Sequence, residues 1–108
     1  FSGDDESALA LMRHGAKGNI SVTANVAPKI MSQIFGLALK GEFEQAEALN
    51  QKIAHLHQDL FIESSPIPAK YALHKMGHIE QGIRLPLTWL TPEHQQVMDE
   101  ALAKAGLL

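Results

Sequence analysis

Cysteine is absent from the 108 residues, which excludes a disulfide framework and a thiolate zinc site. Excess charge of either sign is also missing. Nine Lys and Arg stand against twelve Asp and Glu, for a formal charge of −3. The dense cationic face that phosphate backbones require is therefore lacking, and nucleic acid is not an expected partner. No apolar run approaches the ~20 residues that span a bilayer, so no membrane helix is expected. No stretch reads as the basic-then-apolar leader of a secreted protein. An initiator Met is missing too. The chain opens Phe1-Ser2-Gly3-Asp4-Asp5, an apolar residue running straight into a turn, which reads as a strand end and suggests a piece of something larger. What is present is ordinary globular material, 45% hydrophobic and 19% charged, enough for one small domain.

Residues 4–14 read as a helix. Asp4 or Asp5 can accept hydrogen bonds from its free first-turn N–H groups, Ala8, Leu9, Leu11 and Met12 supply an apolar face, and Gly15 stops it. Gly18-Asn19-Ile20-Ser21-Val22 is short, β-branched and bounded by glycine and polar residues, so a strand is expected over 18–22. Strand end, helix and strand in that order favour parallel pairing in an α/β fold. Pro28 can open the next helix, with Ile30, Met31, Ile34, Phe35, Ala38 and Leu39 at helical spacing before Gly41. Over 42–62, Phe43, Ala46, Leu49, Ile53, Leu56 and Leu60 step by three or four and form one apolar stripe. Ser64-Ser65-Pro66-Ile67-Pro68 breaks that helix. A short helix is expected over 69–76, closed by Gly77, then a loop over 78–90. Thr91 and Pro92 open a last helix with Val97, Met98, Ala101 and Leu102 on its apolar side. One complete strand cannot make a sheet, so either helices dominate a small α domain or the sheet partners lie outside the chain.

Four stretches in order carry a resemblance: Ser2-Gly3-Asp4-Asp5; Gly15 through Val26, with its Ile20-Ser21-Val22-Thr23-Ala24-Asn25-Val26 run; Pro66-Ile67-Pro68-x-Lys70; and Arg84-Leu85-Pro86-Leu87. Together they resemble the C-terminal part of the dihydrodipicolinate synthase family, over essentially all of 1–108. The resemblance implies an α/β fold, the C-terminal part of a (β/α)8 barrel with a helical extension. A whole barrel needs about 250 residues. Residues 1–41 would hold the end of strand 7, strand 8 and the last barrel helix, and 42–108 the extension. The family condenses pyruvate with aspartate semialdehyde through a lysine Schiff base, in the cytoplasm, as a homo-oligomer (dimer or tetramer) and without a cofactor, toward diaminopimelate and lysine.

None of the seven lysines, Lys17, Lys29, Lys40, Lys52, Lys70, Lys75 and Lys104, matches the family's Schiff-base position. Tyr71 does not match its catalytic tyrosine. No catalytic residue is therefore expected in this chain, the chain alone is expected to be inactive, and the N-terminal part of the same barrel is an implied partner. What the resemblance carries over is pocket wall. Gly3 matches a glycine lining the substrate site, Ile20 a strand-8 residue touching pyruvate, and Asp4 and Asp5 an acidic pair near the aldehyde. Trp89, where the family usually has proline, and Ser64-Ser65, where it has Pro-Asn, depart from the pattern within the extension.

The residues by themselves admit plainer roles. Asp4 and Asp5 can serve as helix caps alone, and Ile20 as a core residue. His55 and His57, two apart, lie on different faces of a helix, and Gly77 separates His74 from His78, so no metal site is expected. His57, beside the apolar stripe, is expected to be packed with its nitrogen satisfied. Lys17 precedes strand 8, at the wrong end of a barrel for catalysis, and Trp89 reads as a packing anchor. Two other functions fit less of the sequence: another pyruvate-dependent aldolase or lyase of the same superfamily, acting on sialic acid or a keto-sugar acid, and a non-catalytic α-helical interaction module.

Overall fold

The computed structural model describes residues 1–108 as six helices. They are α1 (Ala8–Arg13), α2 (Thr23–Val26), α3 (Pro28–Leu39), α4 (Phe43–Asp59), α5 (Ile67–Lys75) and α6 (Pro92–Lys104). The apolar spacing of α3, α4 and α6 buries the faces it marks. Met31, Ile34 and Ala38 of α3 meet Ala46, Ile53 and Leu56 of α4, and Met98, Ala101 and Leu102 of α6 close the same core. That core also takes Leu9 and Met12 of α1 and Tyr71 and Ala72 of α5, so it crosses the Gly41 turn without a break. Ile53, Leu56 and Leu102 are wholly excluded from solvent.

The expected strand over 18–22 reduces to a single parallel bridge between Ser2 and Asn19. A strand persists only where a neighbour takes its backbone groups. Beyond Ile20 the N–H groups of Val22 and Thr23 go to the Asp5 carboxylate, and the chain turns into α2, which the sequence pattern did not mark. Other differences lie at helix ends. Turns occupy 5–7 ahead of α1, α4 stops at Asp59, and α5 begins at Ile67 with Pro68 inside its first turn, where no N–H is needed. Gly77 closes α5 with a positive φ of 85°, the left-handed turn that lets Gly77 N–H reach His74 O and His78 N–H reach Leu73 O, both at 2.9 Å.

Polar clamps tie the last elements down. The Glu63 carboxylate accepts from Thr91 N–H at 3.0 Å and Thr91 Oγ1 at 2.9 Å, and lies 2.7 Å from His94 Nδ1. Thr91 therefore stands at the N-terminus of α6, as expected, but its hydroxyl is spent on Glu63 and not on its own helix. The His94 bond, then the Thr91 backbone bond, hold Glu63 below the usual carboxylate range. Trp89 meets the edges of Tyr71 and His74 with ring centroids 6.0 and 5.7 Å away, the packing role expected of it. Tyr71 donates to Asp99 at 2.8 Å; burial first, and this anionic acceptor second, push its phenol up to about 12. No helix is long and apolar enough to cross a membrane.

Candidate functional site

The bridge between Ser2 and Asn19 sets the geometry of the site. Ser2 N–H donates to Gly18 O at 2.9 Å, and Ile20 N–H to Ser2 O at 2.8 Å. The segments run parallel, so the residues just past the bridge, Gly3-Asp4-Asp5 and Ile20-Ser21, emerge at the same end. Lys17 is exposed and lies before the bridge, at the other end. A Cβ on Gly18 would stand 2.9 Å from Cε1 of the exposed Phe1 ring, which would have to turn aside.

Four residues carry the expectation of a pocket wall. Gly3 is exposed, and a Cβ added to it would meet nothing within 4 Å. Nothing inside the chain therefore demands glycine there. Ile20 is 77% exposed, the opposite of the core burial its residue type favours. Asp4 is exposed as well. Its Oδ2 accepts from Ser7 N–H at 3.1 Å and Ser7 Oγ at 2.7 Å, so it closes the turn that leads into α1.

Asp5 points the other way and is 6% exposed. Its Oδ1 accepts from Asn19 Nδ2 at 2.9 Å and from Ser21 Oγ. Its Oδ2 accepts from the N–H groups of Val22 and Thr23, both at 3.0 Å. Asp5 thus caps α2, from eighteen positions upstream of Thr23, and not the helix beside it in sequence. Burial alone would raise its pKa, but the bonds from Ser21, Thr23 and Asn19 outweigh it and hold the carboxyl below its ordinary value. Both oxygens are occupied internally. The adjacent acidic pair therefore splits, with Asp4 facing solvent and Asp5 serving as the post around which 19–23 is wrapped.

The post extends into α4. Thr23 is fully buried and His57 is 4% exposed. Thr23 Oγ1 lies 2.8 Å from His57 Nδ1, and His57 Nε2 lies 2.9 Å from Asn50 Oδ1. Asn50 Oδ1 can only accept, so Nε2 carries the ring hydrogen. Burial pushes the His57 pKa down, against the upward pull of Asp5, Glu6 and Asp4, and the neutral ring leaves Nδ1 free to accept the Thr23 hydroxyl hydrogen. His57 is thus the packed, satisfied histidine expected of it. His55, on another face of α4, bonds Ala101 O at 2.9 Å. A cleft of about 350 Å³ opens beside this chain, with Glu6, Glu47, Asn50, His55 and His57 among its walls. Neither Gly3 nor Ile20 borders it. The Asp5–Thr23–His57 connection joins residues far apart in sequence, and no local spacing signals it.

The model of the dihydrodipicolinate synthetase family matches residues 1–105. The 4-hydroxy-tetrahydrodipicolinate synthase of Psychrobacter arcticus is 64% identical over the whole chain, which spans 36% of that relative. The synthase of Pseudomonas aeruginosa is 53% identical, with 37% of its length spanned. Among solved structures, the chloride-inhibited dihydrodipicolinate synthase of Acinetobacter baumannii complexed with pyruvate superposes on 99% of this chain and 37% of its own, with a TM-score of 0.96 and 55% identity. The Thermotoga maritima enzyme superposes on all of this chain and 37% of its own, with a TM-score of 0.95 and 37% identity. The chain therefore spans little more than a third of the relatives it matches.

Proposed function

Since the chain belongs to the dihydrodipicolinate synthetase family, we propose that it forms the C-terminal third of a lyase that condenses pyruvate with aspartate semialdehyde to 4-hydroxy-tetrahydrodipicolinate, on the route to diaminopimelate and lysine. In this reading 1–41 completes a (β/α)8 barrel and 42–108 is the helical extension packed beside it. Phe1, 88% exposed, and Ile20 then meet the rest of the barrel and the substrate pocket. The whole enzyme works in the cytoplasm as a homo-oligomer, with a lysine in place of a cofactor.

The observation that carries this reading is the pairing of Gly3 and Ile20, both exposed, at one end of two parallel segments. The fold around them matches a synthase structure that holds pyruvate. Barrel enzymes keep their chemistry at the C-terminal ends of the strands, and these two residues stand past the bridge at that end. The lysine amine, supplied from outside this chain, adds to the pyruvate carbonyl and water leaves. The resulting Schiff base makes the methyl protons acidic, and the carbon that loses one attacks the aldehyde. Gly3 and Ile20 give the pyruvate an open backbone edge and an apolar wall. Asp4 lies nearest the aldehyde substrate, and Asp5 supports the wall from behind.

The test is to supply the remaining length of the protein, add pyruvate and borohydride, and look for a reduced pyruvate adduct by intact mass. The assembled protein is expected to trap pyruvate and form product, and residues 1–108 alone to do neither. No adduct on the assembled protein overturns the assignment. Turnover of sialic acid or a keto-sugar acid, with aspartate semialdehyde refused, would favour a sister lyase instead.

A further inference from the structure

We propose that Thr23 and His57 are positioning residues for the pyruvate pocket, through a buried hydrogen-bond chain that ties α4 of the extension to segment 19–23 behind Ile20. The proposal rests on the preceding reading that Gly3 and Ile20 face pyruvate.

Ile20 has little to hold it. Its side chain is exposed, and its one backbone anchor is the N–H bond to Ser2 O. Its position is therefore set by its neighbours, and Asn19, Ser21, Val22 and Thr23 all donate to the single carboxylate of Asp5. Asp5 in turn follows Gly3 by two residues. One buried group thus fixes both walls relative to each other. Only Thr23 carries that arrangement onward to α4. Its hydroxyl has one hydrogen and two acceptors in reach, His57 Nδ1 at 2.8 Å and Asp5 Oδ2 at 3.2 Å. With Nε2–H committed to Asn50, the neutral ring takes the hydrogen and Asp5 keeps its four other donors. Both Asp5 oxygens, the Thr23 hydroxyl and both His57 ring nitrogens are then matched, and a matched buried network rigidifies its surroundings. Without the hydroxyl, Nδ1 faces a methyl group while buried, and an unpaired buried acceptor makes the helix contact give way. The movement passes to the start of α2 and so to Ile20.

A purely structural role would change stability alone, so the test separates the two. In the assembled protein, Thr23→Val keeps the shape and removes the hydroxyl, and Thr23→Ser restores it. Leu102→Ala, at a fully buried site in α6, serves as a destabilised control. Thr23→Val is expected to lower kcat/KM for pyruvate about tenfold, Thr23→Ser to stay within about threefold of the parent, and Leu102→Ala to lower Tm with kcat/KM intact. His57→Leu and His57→Asn repeat the contrast from the other partner, since the asparagine oxygen can stand where Nδ1 does; this pair serves if Thr23→Val does not fold. A lower Tm for Thr23→Val with kcat/KM unchanged overturns the proposal, as does an equal loss of kcat/KM in Leu102→Ala. If the unmodified assembled protein traps no pyruvate, the functional reading falls and takes this one with it. If it traps pyruvate and the variants turn over like the parent, positioning alone falls.

Discussion

Replacing Asp5 by Asn removes one charge and one acceptor from a site where both are used. In the parent, two oxygens accept four bonds, from Asn19 Nδ2, Ser21 Oγ, Val22 N–H and Thr23 N–H. The two backbone donors cannot rotate, so the remaining oxygen of Asp5→Asn must face them and the new amide group must face Asn19 and Ser21. Ser21 can turn its hydroxyl to accept. Asn19 can answer only by flipping its amide, which brings its unpartnered Oδ1 to the new N–H and leaves its Nδ2 without an acceptor. Hydrogen bonds to an ionised group are worth about 1.5–3 kcal/mol against about 1 for a neutral pair. All four bonds lose their ionic partner and weaken by about 1 kcal/mol each, while relief from burying an anion returns part of this. The net destabilisation is about 3 kcal/mol, a large share of the 5–15 kcal/mol typical of a domain.

The assay is urea unfolding followed by far-UV circular dichroism at several pH values. With a slope of about 1–2 kcal/mol per molar, the midpoint should fall by about 2 M at neutral pH. The acid arm has a definite sign. The folded Asp5 pKa lies below the ordinary 3.8, so above 3.8 the ionised group contributes its full stabilisation. Below 3.8 the unfolded chain binds a proton that the folded chain still refuses, and the contribution fades toward the folded value. The gap between parent and Asp5→Asn should therefore be constant above about pH 5 and shrink below 3.8. A neutral-pH difference under about 1 kcal/mol, or a gap that does not narrow in acid, refutes the assignment of Asp5 as the post that holds 19–23.

Two further outcomes test the core and the ring. Leu56→Ala, at a site with no solvent exposure where α4 meets its neighbours, should cost about 2–5 kcal/mol by denaturant unfolding. His57 has a folded pKa below 6.5, so the stability its neutral ring confers is complete above 6.5 and is lost as pH falls from 6.5 toward the folded value, where the unfolded chain alone gains a proton. Thermal melts across that window should show a drop for the parent that His57→Asn lacks.

The sequence conveyed those parts of the fold that depend on neighbours within a turn or two. Helix α3 announces itself by Pro28 and by apolar residues at helical spacing, and α4 by a stripe whose Ala46, Ile53, Leu56 and Leu60 are all buried. Segment 18–22 keeps only one bridge of its expected strand because strand character belongs to the ladder and not to the segment. Ile20 and Val22 have the right side chains, yet only one bridge holds them, and the next donors turn to Asp5. The satisfied state of His57 was legible from its place beside a stripe, but its partner Thr23, thirty-four residues away, was not, because no local rule pairs them.

The acidic pair shows the same limit at the site itself. Asp4 and Asp5 share a residue type, a turn and a motif, and sequence assigns them one role. The backbone at a turn sends neighbouring side chains in different directions, so one carboxylate keeps an oxygen for the outside and the other gives both to the inside. A motif therefore singles out a turn better than it apportions work within it. Ile20 makes the converse case: its residue type alone would bury it, yet it stands exposed just past the bridge that joins the two parallel segments.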